Sequence, residues 1–369
     1  MKSFLLILVL AILSTTCLDR INFDVGRTAT FPITVDGYIS DEPGPYKVEI
    51  TKAFDIQSTY SLRTPISVKR LTISDNQGAS EVLSEVSHGV YQTNPQGIRG
   101  TVGHVYTLKI DLLDGREYKS SPDTLLPPGK VDSIYFEYRE VPTDTTSFYG
   151  FDVFFNASTG IKNNYQFLWK FTGTYKVDTN PELYDTLCVE ARCPKPLACS
   201  GYVADSVGNL RKKTPCQCCT CWIDFFNTAP IVSDNSFVVA GQLQKVFANF
   251  VPINQWTFMY QVHTEVKQLS LSRQAFDFWK AVKKQGEAVT SLFQPLTGKF
   301  PSNFVQTNGP ATPIEGLFFA TSVSRHTRYI TRYDMPNQIV IPPQNLPYKN
   351  TCKLLFPYSN TQKPSYWID

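Results

Sequence analysis

The cysteines constrain this chain more than any other feature. Of nine cysteines, one lies near each terminus and seven lie between residues 188 and 221. The sequence between these seven is polar and rich in turn residues, so it cannot build an apolar core and needs crosslinks to hold a shape. The eight that follow the N-terminal one are Cys188, Cys193, Cys199, Cys216, Cys218, Cys219, Cys221 and Cys352.

Two interpretations of these eight cysteines compete. The short spacings of Cys216, Cys218 and Cys221 would let thiolates converge on zinc or copper(I). In an oxidising compartment, cysteines instead pair as disulfides. We favour disulfides and therefore predict that these cysteines bind no metal. We also predict no other cofactor. The sequence leaves the pairing open, although the adjacent Cys218 and Cys219 should bond to different partners, because a ring between neighbours is strained.

The N-terminus indicates export. Residues 4–13 are all apolar, but this run is about half the roughly 20 residues that a transmembrane helix needs. It fits a secretory signal peptide over residues 1–16. Small residues before Cys17 resemble a bacterial lipidation site, which would make 17–21 a lipidated tether. The alternative is ordinary cleavage nearby with Cys17 left free, but lipidation of Cys17 leaves an even number of cysteines to pair.

Short alternating segments predict a mainly β fold. The chain has 369 residues, of which 42% are hydrophobic and 18% charged, and it contains 20 Gly and 25 Pro. This composition provides enough apolar residues for hydrophobic cores and predicts many turns. Tyr46, Val48 and Ile50 alternate with polar residues, and an Asp114-Gly115 hairpin signal follows the strand pattern of 106–112. The pattern breaks at 124–129. We therefore predict an antiparallel sandwich of immunoglobulin or transthyretin type over 22–128.

The remainder, 129–369, is predicted to be a larger β-rich domain with the Cys-rich insertion 188–221. The alternation over 256–262 predicts a strand whose continuation places His263 on a polar, solvated face. One amphipathic helix is predicted at about 272–285, with Gly286 as its stop and a stripe around Trp279 packed on a sheet.

No feature of the sequence indicates an enzyme or a nucleic-acid partner. The net charge is only +3, and no basic stripe occurs. The histidines are far apart in sequence, and the usual hydrolase, metalloprotease and nucleotide-binding motifs are absent from the sequence. Arg211, Lys212 and Lys213 form a small basic run in the Cys-rich segment. Such a run is usually a solvated loop tip, and here it is also a candidate partner contact.

Residues 35–46, VDGYISDEPGPY, and residues 103–118 resemble the opening signature and the hairpin pattern of a known family. That family is a Bacteroidota lipoprotein family known as domain of unknown function 4249. The family usually has few cysteines, so we interpret 188–219 as an elaboration of this member. Further similar segments, which extend the resemblance over nearly the whole mature chain, are 84–91, 167–171, 221–222, 278–279, 291–295, Cys352 and 363–367.

The resemblance implies a role at the outer membrane. The family carries no established enzyme activity, and its members are often encoded beside TonB-dependent receptors. We therefore expect a lipid-anchored protein, facing the cell surface or the periplasm, that is a non-enzymatic accessory subunit of a TonB-dependent or other outer-membrane β-barrel, in uptake or assembly. The alternative is a free surface binding module or adhesin for a glycan or a protein, which predicts an open aromatic patch.

Overall fold

The structure is a computed structural model that describes residues 32–52, 64–142, 147–160, 166–185, 195–233, 238–289, 301–336 and 348–369. The predicted signal peptide, the tether with Cys17, and Cys188 and Cys193 lie outside these residues. The described chain is mainly β, as predicted. Its helices include none with the length and apolar character needed to cross a membrane.

Strands formed by the N-terminal part of the chain are β1 (Ile33–Ser40), β2 (Lys47–Lys52), β3 (Thr64–Pro65), β4 (Arg70–Asp75), β5 (Ser80–Val82), β6 (Ser84–Ser87), β7 (Val90–Gln92), β8 (Val105–Asp111), β9 (Glu117–Ser120) and β10 (Asp123–Thr124). Strands of the middle are β11 (Lys130–Pro142), β12 (Ser147–Ser158), β13 (Phe167–Asp178), β14 (Tyr202–Ala204), β15 (Leu210–Lys212), β16 (Thr220–Phe226) and β17 (Ile231–Val232).

Strands of the C-terminal part are β18 (Gln242–Pro252), β19 (Val262–Ser270), β20 (Phe304–Asn308), β21 (Ile314–Thr321) and β22 (Val323–Ile330). The α-helices are α1 (Arg273–Val289) and α2 (Cys352–Leu355), and the 3-10 helices are Pro181–Leu183, Ala198–Ser200 and Arg332–Asp334.

The first β-sandwich consists of two sheets. Sheet A has the order β21-β1-β2-β7-β6 with β3 beside β2, and sheet B has the order β20-β9-β8-β4-β5 with β10 beside β8. Their facing apolar side chains, such as Val35 and Ile50 from sheet A and Leu108 from sheet B, form one buried core. The alternation of apolar and polar residues along each strand places these side chains inside.

Two strands of this sandwich, β20 and β21, come from the distant segment 304–321, which was predicted to belong to the second domain, 129–369. β21 runs parallel to β1, with Ile33 opposite Ile314 and Ser40 opposite Thr321. β20 pairs antiparallel with β9. Since a parallel pair has no tight turn between its strands, no local sequence signal marks such a pairing. The first sandwich is therefore not built from 22–128 alone.

The second sandwich also has two sheets. Sheet C has the order β11-β12-β18, and sheet D has the order β16-β13-β19-β22 with β17 beside β13. Phe151 and Phe155 from sheet C meet Trp169 and Phe171 from sheet D in the core. The indole N–H of Trp169 donates to the Gln268 side chain at 2.9 Å, which satisfies this buried donor.

The prediction of a strand over 256–262 is wrong for most of that segment. Residues 254–260 turn, and the strand β19 begins only at Val262. The Asn254 side-chain oxygen accepts hydrogen bonds from the backbone N–H groups of Trp256 and Thr257 at 2.8 and 3.0 Å. These local hydrogen bonds satisfy the backbone without a neighbouring strand. The segment therefore turns, although its apolar and polar residues alternate as they do in a strand.

The helix α1 lies where the two sandwiches meet. It is longer than predicted, because it continues through Gly286 to Val289. A glycine inside a helix costs only about 1 kcal/mol relative to alanine. The buried Ala275 and Phe276 of α1 pack against Leu269 of sheet D and Phe319 of β21. The predicted packing of Trp279 on a sheet is confirmed, since its ring lies 6.4 Å from that of Phe319.

Candidate docking surface

The outer face of sheet C is unusually aromatic. Phe154 lies at its centre on β12, with Tyr135 of β11 opposite on one side and Phe247 of β18 on the other. Ring centroids are 5.8 Å apart in both pairs, stacked for Tyr135 and edge-on for Phe247. Aromatic pairs in these arrangements attract one another. The three rings form a continuous row across the sheet.

Charged side chains lie over this row. The Lys245 ammonium is 5.1 Å from the centre of the Phe154 ring and 2.8 Å from the Glu137 carboxylate. The Arg139 guanidinium is 4.7 Å from the centre of the Phe250 ring and 2.8 Å from Asp152. The hydrogen bond that the Lys245 ammonium donates to the Glu137 carboxylate raises the pKa of Lys245, so the ammonium stays charged at neutral pH. Each cation is thus placed on a ring by a neighbouring carboxylate. We call Tyr135, Glu137, Arg139, Asp152, Phe154, Lys245, Phe247 and Phe250 the aromatic face.

A backbone irregularity in β18 places Lys245 on the aromatic face. The pairing of β12 with β18 shifts on both sides of the Phe154–Phe247 and Phe155–Val246 positions. Lys245 has a φ of +54°, in the left-handed region that non-glycine residues rarely occupy. Its N–H donates to the Asn156 side chain at 2.9 Å instead of continuing the ladder. Such bulges redirect a side chain, and this one turns Lys245 over Phe154.

This face differs from the usual outer face of an antiparallel sheet, which is polar and solvated. Phe247 is 47% exposed, and Phe148, near the end of the β11–β12 hairpin, is 60% exposed. Contiguous exposed apolar surface marks a site of interaction. Aromatic residues and arginine are also the side chains most enriched at protein interfaces.

This surface is not among the features predicted from the sequence, although the sequence contains a signal for it. In a sheet with one solvated face, apolar residues occupy every second position. In β12 the segment 153–155 is Val-Phe-Phe, and in β11 the segment 134–136 is Ile-Tyr-Phe. Apolar residues at consecutive positions indicate that both faces of the sheet are apolar, and one of them lies outside the core.

The cysteine region is crosslinked within its described part. Disulfides join Cys199 to Cys218, Cys216 to Cys219 and Cys221 to Cys352. Adjacent Cys218 and Cys219 have different partners. These six sulfurs are therefore not free thiolates for a metal. No group of three or more His, Cys, Asp or Glu side chains in the described chain could hold a metal ion.

The basic run lies on a small hairpin of this region. β15, which contains Arg211 and Lys212, pairs with β14 in a sheet of its own. Arg211 lies 3.5 Å from Asp205, and all three cations of the run are exposed. Lys213 follows the strand and donates its backbone N–H to Gly201 at 2.8 Å. The run is on a different sheet from the aromatic face.

The prediction that His263 is solvated is wrong. Its side chain lies on the outer face of sheet D, but the C-terminal segment covers that face, and His263 is only 4% exposed. Its ring stacks on Tyr366 with centroids 4.3 Å apart and meets Tyr329 edge-on at 5.1 Å. Burial lowers the pKa of His263, and the nearby Asp224 raises it to a lesser extent. A neutral ring between aromatic neighbours is a packing element.

Comparison with known proteins yields a family but no named relative. No curated protein matches the chain. The family model described as domain of unknown function 4249 matches residues 19–327, which is most of the chain and includes the first sandwich, the helix α1 and the second sandwich up to the middle of β22. The chain therefore belongs to the family of domain of unknown function 4249.

Proposed function

We propose that this protein is a non-enzymatic accessory subunit of an outer-membrane β-barrel complex, with a TonB-dependent receptor as the partner in uptake or assembly. The lipid on Cys17 holds it at the membrane, and the aromatic face docks on the barrel. The aromatic face is the observation that carries the proposal. The resemblance of residues 35–46 and 103–118 to the family's motifs supports the choice of partner.

The chemistry of the aromatic face favours a protein as its occupant. Tyr135, Phe154 and Phe247 offer rigid apolar area, and Arg139 and Lys245 are held in place over rings by carboxylates. Binding energy in protein interfaces concentrates in aromatic and arginine side chains of this kind. An accessory subunit that stays on its barrel would bury about 2,000 Å² or more in total, so the face would form the centre of a larger contact.

Affinity purification of the native lipoprotein in a mild detergent tests the docking. Wild-type protein should bring down a TonB-dependent barrel, identified by mass spectrometry. A Phe154→Ser/Phe247→Ser variant should lose at least about tenfold of the barrel, because truncating a central interface ring costs more than about 1 kcal/mol. The matched control is Leu113→Ser, a change of a 73% exposed apolar residue in the first sandwich, which should retain the barrel.

Two results would contradict the proposal. One is a wild-type purification without any barrel, and the other is equal recovery of the barrel with the double variant. Near-ultraviolet circular dichroism of each variant shows whether the fold is intact. Recovery of a bound glycan and of no barrel, with the glycan lost in the double variant, would instead favour the free binding module.

The lipid anchor has its own test. The Cys17→Ala variant, expressed in a strain that lacks the barrel, should leave the membrane fraction, because no acyl chain remains to hold it. The wild-type protein in the same strain should stay with the membrane. A variant that remains membrane-bound without partners would refute the anchor and leave the docking proposal standing.

A further inference from the structure

A cleft lies at the joint between the two sandwiches, on the opposite side of the second sandwich from the aromatic face. Its volume is about 370 Å³, within the range of small-molecule sites. One wall is β1 of sheet A, another is the outer face of β13 and β19, and the helix α1 contributes a third. The side chains that carry the argument are those of Tyr38, Lys170, Phe226, Lys267 and Trp279.

Lys170 is the central charged group of the cleft. It lies in β13 between Trp169 and Phe171, both of which point into the core, so its own side chain points outward into the cleft. The ammonium lies 4.9 Å from the centre of the Tyr38 ring. Burial lowers the pKa of Lys170 and nearby Lys267 adds to this, while Asp36 acts in the opposite direction. The surroundings therefore solvate this cation incompletely.

Trp279 lines the cleft with its indole ring. Phe278 and Phe319 pack edge-on against this ring at 5.6 and 6.4 Å and fix its position. The indole nitrogen is buried, so a ligand in the cleft meets the ring and not the N–H. Trp279 is therefore part of the apolar wall of the cleft.

The other polar groups of the wall are already engaged. The Asn227 side chain accepts from the Phe171 N–H at 2.9 Å and donates to the Ala229 carbonyl at 2.6 Å, which shapes the loop after β16. Lys267 lies 3.6 Å from Glu265 and 4.0 Å from Glu42. Lys170 is left as the cation that points into the cleft, next to the apolar surfaces of Tyr38, Phe226 and Trp279.

We infer that this cleft binds the carboxylate of a small organic acid with an apolar body, with the Lys170 ammonium as the donor to the carboxylate and with Tyr38, Phe226 and the Trp279 ring as the apolar wall. A monoanion fits better than a phosphate dianion, because Lys267 is already compensated by two carboxylates. The inference concerns a site distinct from the aromatic face and does not depend on docking to a barrel.

Phenylacetate and phenylacetamide are matched probes, since they share shape and differ in charge. Titration followed by tryptophan fluorescence and by calorimetry should show saturable binding of phenylacetate, and the amide should bind at least about tenfold more weakly, a difference of about 1.4 kcal/mol. Lys170→Met should weaken phenylacetate binding at least about tenfold, toward the affinity of the amide.

The control is Lys280→Met, a change of an exposed cation on the same helix, which should bind phenylacetate as the wild type does. Lys170→Gln replaces Lys170→Met if the latter does not fold. Absence of saturable phenylacetate binding up to about 10 mM, beyond the weak end of ligand affinities, would overturn the inference. Equal affinity for acid and amide in the wild-type protein would overturn it as well, without any variant.

Discussion

Lys245 is the residue of the aromatic face with a left-handed backbone conformation. Its φ of +54° is strained for any residue with a Cβ, at a cost of roughly 1–2 kcal/mol. The contacts with Glu137 and the Phe154 ring oppose that cost. In a strand, glycine is usually less stable than alanine. At position 245 we expect the opposite order.

We expect Lys245→Gly to be more stable than Lys245→Ala by about 1 kcal/mol, because both variants lose the ion pair and the ring contact but only glycine relieves the strain. Urea denaturation of the two variants measures the difference. At the neighbouring Gln244, which has no positive φ, the order should be the ordinary one, with alanine the more stable. Alanine above glycine at both positions would show that the bulge is not strained.

His263 should contribute to the pH dependence of stability. Its pKa is lowered in the folded protein by burial, so below about pH 6.5 the unfolded chain binds a proton that the folded chain does not. The free energy of unfolding should therefore fall as the pH drops from 7 toward 5. In a His263→Phe variant, which preserves the stack on Tyr366, this fall should be less steep. Urea denaturation at several pH values tests it, and an unchanged slope would contradict the assignment.

The C-terminal segment is an element held by one crosslink. Cys352 begins α2, and its disulfide with Cys221 on β16 closes a loop with a sequence separation of 131 residues. Backbone pairing of Trp222 with Asn360 continues the attachment. The same segment then carries Tyr366 over His263. The disulfide thus fixes the cover of the outer face of sheet D.

Removal of this disulfide should be costly. A Cys221→Ala/Cys352→Ala variant should lose about 2–5 kcal/mol of stability, since closing a long loop restricts the unfolded chain most. Its C-terminal segment should also become sensitive to limited proteolysis. The control is Cys216→Ser/Cys219→Ser, whose pair is separated by only 3 residues and should cost less. Equal losses for the two pairs would argue against the loop-closure explanation.

Local elements were predictable, and their partners were not. The alternation around Tyr46 and Ile50, the Asp114-Gly115 hairpin and the apolar stripe of α1 are read within a few residues of chain, so the sequence indicates them directly. The aromatic face needs the registers of β11, β12 and β18, which depend on long-range pairing. The cover over His263 comes from residues about a hundred positions later, and a strand pattern cannot show which segment lies on it.

The two sandwiches are joined by more than a linker. The chain leaves the first sandwich at β10, forms most of the second, and returns through β20 and β21 before β22 completes sheet D. The segment resembling the family's opening signature lies at this joint. There Asp41 accepts from the Val323 N–H at 2.8 Å, and Glu42 pairs with Arg325. The buried Asp123 accepts from the Ala320 N–H at 2.8 Å.

This connectivity predicts that residues 22–128 do not fold alone. Without β20 and β21, sheet A loses the parallel partner of β1, and the buried Phe304, Phe318 and Ala320 leave the core. Fully burying a single phenylalanine side chain is worth about 1.5–3 kcal/mol, a large share of the stability of a small domain.

A fragment of 22–128 joined to 301–321 by a short glycine-serine linker should fold, because the Ser121 N–H already donates to the Asn303 carbonyl at 2.6 Å. Heteronuclear NMR spectra should be dispersed for the joined fragment and collapsed for 22–128. The same fragment joined to 323–336, which belongs to the second sandwich, should stay unfolded, and a folded 22–128 would instead establish it as an independent domain.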